Sequence, residues 1–180
     1  MLKTGHINLK DGLIVIFKGH NFLFPIRSFL KLCEILIGKV GEKETDDIFK
    51  EVGTFQLLQA AQRYTVLFDL EKMEKRKFIK FGTKIFEMLG MGKYEFLNWD
   101  ENNKIITVIS RNVPTAIEFK MIYGKTLKPI DSFVCGVIEA TFYLYFNTPM
   151  KCVETKCIAC GDPYCQFEVF PVEEKRETKT

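Results

Sequence analysis

Met150 to Phe170 reads MKCVETKCIACGDPYCQFEVF and holds four of the chain's six cysteines, Cys152, Cys157, Cys160 and Cys165. Their spacing, C-x4-C-x2-C-x4-C, is interrupted by a Gly161-Asp162-Pro163 turn and followed by an alternating strand. Such density points to a metal site, a redox site or a covalently stapled hairpin. Reduced thiols that serve only as packing are the competing reading, since cysteine is a common small core residue. The rest of the chain reads as apolar scaffold, so the functional site is expected at this hairpin, with any ligand pocket nearby.

With 180 residues, the sequence is read as one domain over 1–180 that can bury its own core. Apolar residues make up 47% and charged residues 27%, ordinary proportions for a globular chain. Seventeen phenylalanines can fill a core or line a cavity for an apolar guest. A net charge of +3 is too small to imply nucleic acid or an anionic membrane as partner. Glu71–Lys80 (EKMEKRKFIK) interleaves acids and bases at helical spacing, the pattern of a solvated face. The apolar run Leu13–Phe17 is too short for a signal segment or a membrane span, which sets a cytoplasmic expectation. In that compartment a Cys157–Cys165 disulfide is less expected than metal ligation.

Along the chain, residues 1–11 read as polar and loose, and Gly12–Phe17 as a strand covered on both faces. From Pro25 an amphipathic helix begins, with Ile26, Phe29, Leu30, Cys33, Leu36 and Ile37 on its apolar stripe. Glu42–Asp69 reads as a second helix, weakened at Gly53 unless something packs closely there. A third runs from about Glu71 to Leu89 and is stopped by Gly90 and Gly92. The period then changes to two: Tyr94–Trp99 and Lys104–Ser110 form a hairpin, and Thr115–Ile122 is expected as a further strand. Pro129 opens a fourth helix to about Asn147, with Gly136 and Ala140 spaced for close packing against a neighbour. The signature hairpin spans 149–170 and the charged tail 173–180. The expected fold class is α+β: an antiparallel sheet with helices packed mainly on one face.

The string Glu154-Thr-Lys-Cys157-Ile-Ala-Cys-Gly161-Asp162-Pro163-Tyr-Cys165-Gln-Phe167 resembles the C-terminal signature of the vinyl-4-reductase domain family, E-x-x-C-x-A-x-G-D-P-x-C-x-F. Met88–Lys93 and Cys135–Ala140 resemble that family's helix-to-meander junction and its glycine-bearing helix. The resemblance implies the ligand-binding domain fold of nitric-oxide signalling and Golgi transport proteins. It implies a small-molecule-binding or sensor domain, homodimeric, for a hydrophobic or aromatic ligand. Relatives in phenol-responsive activators hold zinc beside their pocket, and Glu154, Cys157 and Cys165 match three of those ligands. The remaining ligand there is a helix cysteine; here the matching position falls near Asp131 or Ser132, neither of which is cysteine. Cys135, one turn on, is therefore placed as the fourth ligand, with Cys160 or Cys152 as alternatives and one zinc expected per chain.

Cys157 and Cys165 flank a short loop and can meet at its base, but Glu154 would point away from Cys157 in a regular strand. A bulge or strand end between them is therefore required. Pocket walls are expected from Trp99, Ile106, Phe133 and Val137, and, by resemblance to the phenol sensors, from Cys152. No catalytic residue is assigned. The family's name comes from vinyl reduction in tetrapyrrole synthesis, which needs a hydride source, and no nucleotide-binding motif occurs. An accessory role in that chemistry, or a dimeric assembly subunit without ligand, are the alternatives to a sensor that signals through a protein partner.

Overall fold

A helix apolar on nearly every side must be covered on every side, and Ser132–Phe146 is such a helix. The fold is arranged to cover it. A computed structural model describes residues 7–68 and 74–172. His6, Glu71 and the charged tail 173–180 lie outside them.

The chain opens with β1 (Ile7–Lys10), β2 (Leu13–Ile16) and β3 (Gly19–Asn21), an antiparallel sheet of three strands. Three helices follow, α1 (Ile26–Val40), α2 (Glu42–Phe68) and α3 (Lys75–Met88). Next come β4 (Tyr94–Asp100), β5 (Ile105–Ser110), α4 (Pro114–Tyr123) and α5 (Ser132–Phe146). The chain closes with β6 (Met150–Lys156), a 3-10 turn at Ile158–Cys160, and β7 (Cys165–Pro171). Strands β4–β7 form one antiparallel sheet in the order β4-β5-β7-β6. This is the expected α+β class, with α5 between the sheet and α2.

The sheet's inner face follows strict alternation: Met150, Cys152 and Glu154 on β6, and Cys165, Phe167 and Val169 on β7, are buried. Phe142 and Tyr145 of α5 meet Trp99 of β4 edge-on, with centroids 5.6 and 5.3 Å apart. On its other side α5 lies directly on α2. A Cβ built on Gly53 would stand 2.1 Å from the Phe133 carbonyl oxygen, and one on Gly136 would stand 1.9 Å from that of Lys50. The two glycines let the backbones touch, and Thr54 Oγ1 donates to the Gly136 carbonyl at 3.1 Å. The helix-weakening residue at position 53 is there because nothing larger fits.

Three local expectations are corrected. Thr115–Ile122 is not a strand: Pro114 sits at the helix start, Ala116 is fully buried, and Met121 is turned to solvent, which is helical and not alternating placement. The segment before Gly12 is not wholly loose, because Asp11-Gly12, both with positive φ, form the tight turn that pairs β1 with β2. Strand β2 is not covered on both faces, since Leu13 is exposed and the other three residues only half-buried. Its sheet is too small to have layers on both sides. Among the described residues no helix is long and apolar enough to cross a membrane.

Replacing Gly136 by alanine forces the α2 and α5 backbones apart, and destabilisation of roughly 2–3 kcal/mol is expected from such overpacking. Gly53→Ala should behave alike, while Gly38→Ala, with open space around it, should not. Urea unfolding of the three variants checks this.

Candidate functional site: a buried acid–thiol cluster and an apolar cavity

Strand β6 carries Glu154 inward and then breaks register between Glu154 and Lys156. This irregularity, the bulge that the sequence requires, lets Cys157 reach the same side as Glu154. Cys157 is itself extended, and the turn after it folds back through Gly161, at φ 105°. The turn is tied by the Cys160 N–H to the Cys157 carbonyl at 2.9 Å and by the Cys157 N–H to Asp162 Oδ2 at 2.9 Å. Gly161-Asp162-Pro163 thus returns the chain to β7 with Cys165 facing Cys157.

The fourth corner is Asp131. The ligand atoms of Asp131, Glu154, Cys157 and Cys165 all lie within 4.8 Å of one another, and all four residues are buried. A tetrahedral zinc with arms of about 2.0–2.3 Å holds its ligand atoms roughly 3.3–3.8 Å apart, so a small contraction closes the group on an ion. The Asp131 N–H donates to Glu154 Oε2 at 2.9 Å, and Thr115 Oγ1 donates to Asp131 Oδ1. The Ile158 N–H donates to Cys165 Sγ at 3.4 Å. Glu154 Oε1 is buried without a hydrogen-bond partner. An orphaned carboxylate oxygen aimed among two thiols and a second carboxylate is what a cation site looks like before the cation is counted.

The electrostatics agree. Burial, then the charge of Glu154, pushes the Asp131 carboxyl up to about 8. Burial, then Cys157, pushes Glu154 up to about 9. The hydrogen bond from Cys165 draws the Cys157 thiol down to about 6 and drives Cys165 itself upward. Four acids here hold one another's protons; a divalent cation would let them all ionise. The donor set therefore fits a metal such as zinc.

Cys135, placed as fourth ligand from the sequence, is not in this group, and neither are Cys160 or Cys152. Asp131 and Cys135 are one turn apart, but Asp131 precedes the helix at φ −95°, ψ 46°, so its side chain leaves the helical stripe that the spacing argument assumes. Cys160 stands beside Cys157, its thiol raised to about 11 by burial and then by Cys157. Cys135 and Cys152 form a separate buried thiol pair, above which the Cys152 N–H donates to Glu139 Oε1 at 2.7 Å and Lys50 Nζ pairs with that oxygen at 2.6 Å. The resemblance puts a ligand position near Asp131, and a carboxylate serves there as well as the cysteine it replaces.

The second feature is a cavity of about 380 Å³ bounded by α2, α3, α5, the large sheet and the β2–β3 hairpin. Of the expected wall residues only Val137 lines it. Trp99 instead packs on Phe96, Phe142 and Tyr145, Ile106 is sealed beneath the sheet's inner face between Trp99 and Val169, Phe133 turns to Phe29, and Cys152 joins Cys135. The signal that could have located the cavity was the apolar stripe of α3, where Phe78, Ile85, Phe86 and Leu89 line its wall. Read in sequence, that stripe is indistinguishable from plain core.

The fold and the cluster together define an α+β domain with a helix buried between sheet and helices, a cavity at one side of it and an acid–thiol cluster at its N-terminal end. Residues 120–171 match the family model of the vinyl-4-reductase domain, so the resemblance holds over the segment that carries the cluster. Among solved structures, the phenol-responsive sensory domain of the transcription activator PoxR, with phenol, superposes at a TM-score of 0.82 over 96% of this chain and 88% of that one, at 14% identity. A vinyl-4-reductase family protein from Methanocaldococcus jannaschii gives 0.55 over 85% of each chain, at 21% identity. A trafficking protein particle complex subunit 3 from Naegleria fowleri, covalently bound to palmitic acid, gives 0.56 over 84% of this chain and 95% of that one, at 16% identity. At such identities the likeness is one of fold. No curated protein matches the chain in sequence.

The raised carboxyls set a pH dependence for the metal-free chain. Folded Asp131 and Glu154 keep protons up to about 8 and about 9, whereas unfolded carboxyls release theirs near pH 4. The folded state therefore binds more protons than the unfolded one between these limits, and its stability falls as pH rises. The lowered thiol of Cys157 acts in the opposite sense above about 6, so the fall is steepest below that point and shallower beyond it. Thermal midpoints in a strong chelator should drop from pH 5 to pH 8, and added zinc should flatten or invert that slope.

Proposed function

We propose that this chain is a small-molecule-binding domain, of the sensor kind, that takes a hydrophobic ligand and is braced by a structural zinc. The enclosed apolar cavity carries this reading. Its volume lies within the range of small-molecule sites, roughly 300–1,000 Å³, and its walls are mostly aliphatic and aromatic. The PoxR sensory domain, of the same fold, is a structure with phenol, which supports a ligand role for a domain built this way.

Asp131, Glu154, Cys157 and Cys165 would hold the zinc, one ion per chain. With four protein ligands the site is closed and hence structural. Zinc supplies charge neutralisation and a cross-link there. Asp131 leads into α5, Glu154 ends β6 and Cys165 begins β7, so the ion would pin the buried helix to two strands and stiffen one wall of the cavity's frame. A homodimer belongs to the same proposal: α1 turns Leu32, Ile35, Ile37 and Val40 to solvent, an apolar face that a second copy would cover. The assembly-subunit alternative calls for a filled core, and the cavity weighs against it.

A native mass spectrum of gently purified protein is expected to show a dimer carrying one zinc per chain, with small-molecule mass where ligand is retained. A bare chain without zinc adduct would sink the metal reading. Asp131→Asn, Cys157→Ser and Cys165→Ser should each lose the ion and lower the thermal midpoint markedly, whereas Cys135→Ser should keep both zinc and midpoint near the parent's. Metal analysis and thermal unfolding of the four variants measure this.

A further inference from the structure

The cavity's polar groups are unevenly placed, and their placement restricts what can fill it. Deep in the cavity the wall is hydrocarbon and ring: Leu57, Ile79, Ile85, Phe86, Val137 and Phe142. The hydroxyls on that wall are already committed to backbone carbonyls: Thr141 Oγ1 donates to Val137 at 2.8 Å, Thr83 Oγ1 to Lys80 at 2.9 Å and Tyr94 OH to Met91 at 3.0 Å. A polar group carried to the deep end would lose water and gain little in exchange. At the other end, where β3 meets α2, the lining changes to His20, Asn21, Gln56 and Arg63, all exposed.

Arg63 is set into place there by Gly19. A Cβ at that position would stand 3.2 Å from Arg63 Nε and 3.3 Å from Cζ, so the absence of a side chain lets the guanidinium group lie over the strand at the cavity mouth. Next to it Phe17, at φ 48° and almost fully buried, meets the Tyr64 ring edge-on at 4.9 Å and fastens the hairpin to α2. Lys18 faces the shallow neighbouring hollow that shares Arg63. No aspartate or glutamate is among the described residues lining the cavity. The mouth is therefore cationic and the interior apolar.

We infer that the cavity takes an amphipathic anion, a hydrocarbon tail ending in a carboxylate, with the tail among α2, α3 and α5 and the head on Arg63 at the mouth. The inference rests on the ligand-binding reading above and specifies its ligand class. A guanidinium fork matches a carboxylate in two parallel hydrogen bonds, which a neutral hydroxyl cannot reproduce. Asn21 and His20 stand beside it on the hairpin that closes the cavity, so the residues reading the head belong to the element that would admit the tail.

Titration calorimetry of the full chain with decanoate, 1-decanol, butyrate and phenol tests it, all below micellar concentration. Decanoate should bind about 10-fold or more tightly than 1-decanol, the effect of one charge-assisted contact. Butyrate, head without tail, should not bind. Arg63→Met, an exposed substitution that the fold tolerates, should remove the advantage of decanoate and leave 1-decanol unchanged, and Arg63→Lys should keep part of it. Equal binding of decanoate and 1-decanol, or an Arg63→Met variant that binds decanoate like the parent, overturns the inference while leaving the cavity reading standing. Phenol binding more tightly than decanoate does the same. No binding of any of the four, to protein shown to be folded, overturns both.

Discussion

Everything in this domain depends on two helices being allowed to touch. Helix α5 is the central post, and it can be buried only if α2 approaches until backbone meets backbone at Gly53 and Gly136. A side chain at either position would push α2 outward, opening the post to water and shifting the wall against which the cavity is defined. The glycines cost conformational entropy in mid-helix, and close contact along the length of both helices offsets it. Thr54 satisfies a lone pair of the Gly136 carbonyl, so the tight contact leaves that oxygen bonded twice.

From that contact the two functional features fall on different parts of one element. The N-terminal end of α5 delivers Asp131 to the acid–thiol cluster, while its middle, through Val134, Val137, Ile138 and Phe142, forms a wall of the cavity. A cation bound at the first place would fix the start of the helix whose flank bounds the second. The cluster shows why such a brace suits this chain: two carboxyls raised to about 8 and about 9 in a dry site are a destabilising arrangement until a positive charge joins them. The small β1–β3 sheet has a different character. It covers the cavity from outside, is only partly buried, and is held by the ring of Phe17, which makes it the part of the fold best placed to yield when a ligand enters.

Much is readable from the residues in order. The helical stripes of α1 and α2, the β4–β5 hairpin, the buried helix with its small residues and the final cysteine hairpin all announce themselves by period and punctuation. So does the irregularity after Glu154, because a carboxylate and a thiol three residues apart in a regular strand would point to opposite faces. Strand order, by contrast, is not legible: β7 inserts between β5 and β6, a pairing between segments far apart in the chain that alternation alone does not specify. Pro114–Tyr123 imitates a strand because its apolar residues happen to fall at even spacing as well as at helical spacing over so short a run.

What the sequence determined by itself is the local chemistry: which residues can ligate, which segments are amphipathic, and where a glycine must stand. What the tertiary structure alone decided is which of these meet. Cys135 and Asp131 are one turn apart in sequence, yet only Asp131 reaches the cluster, because it stands before the helix begins and its backbone turns it toward β6. Likewise, Phe78 and Phe86 are indistinguishable in sequence from the phenylalanines that fill the core. They line a cavity because α3 stands off from α5, and that distance is set by the sum of packing around both helices, not by any residue in either.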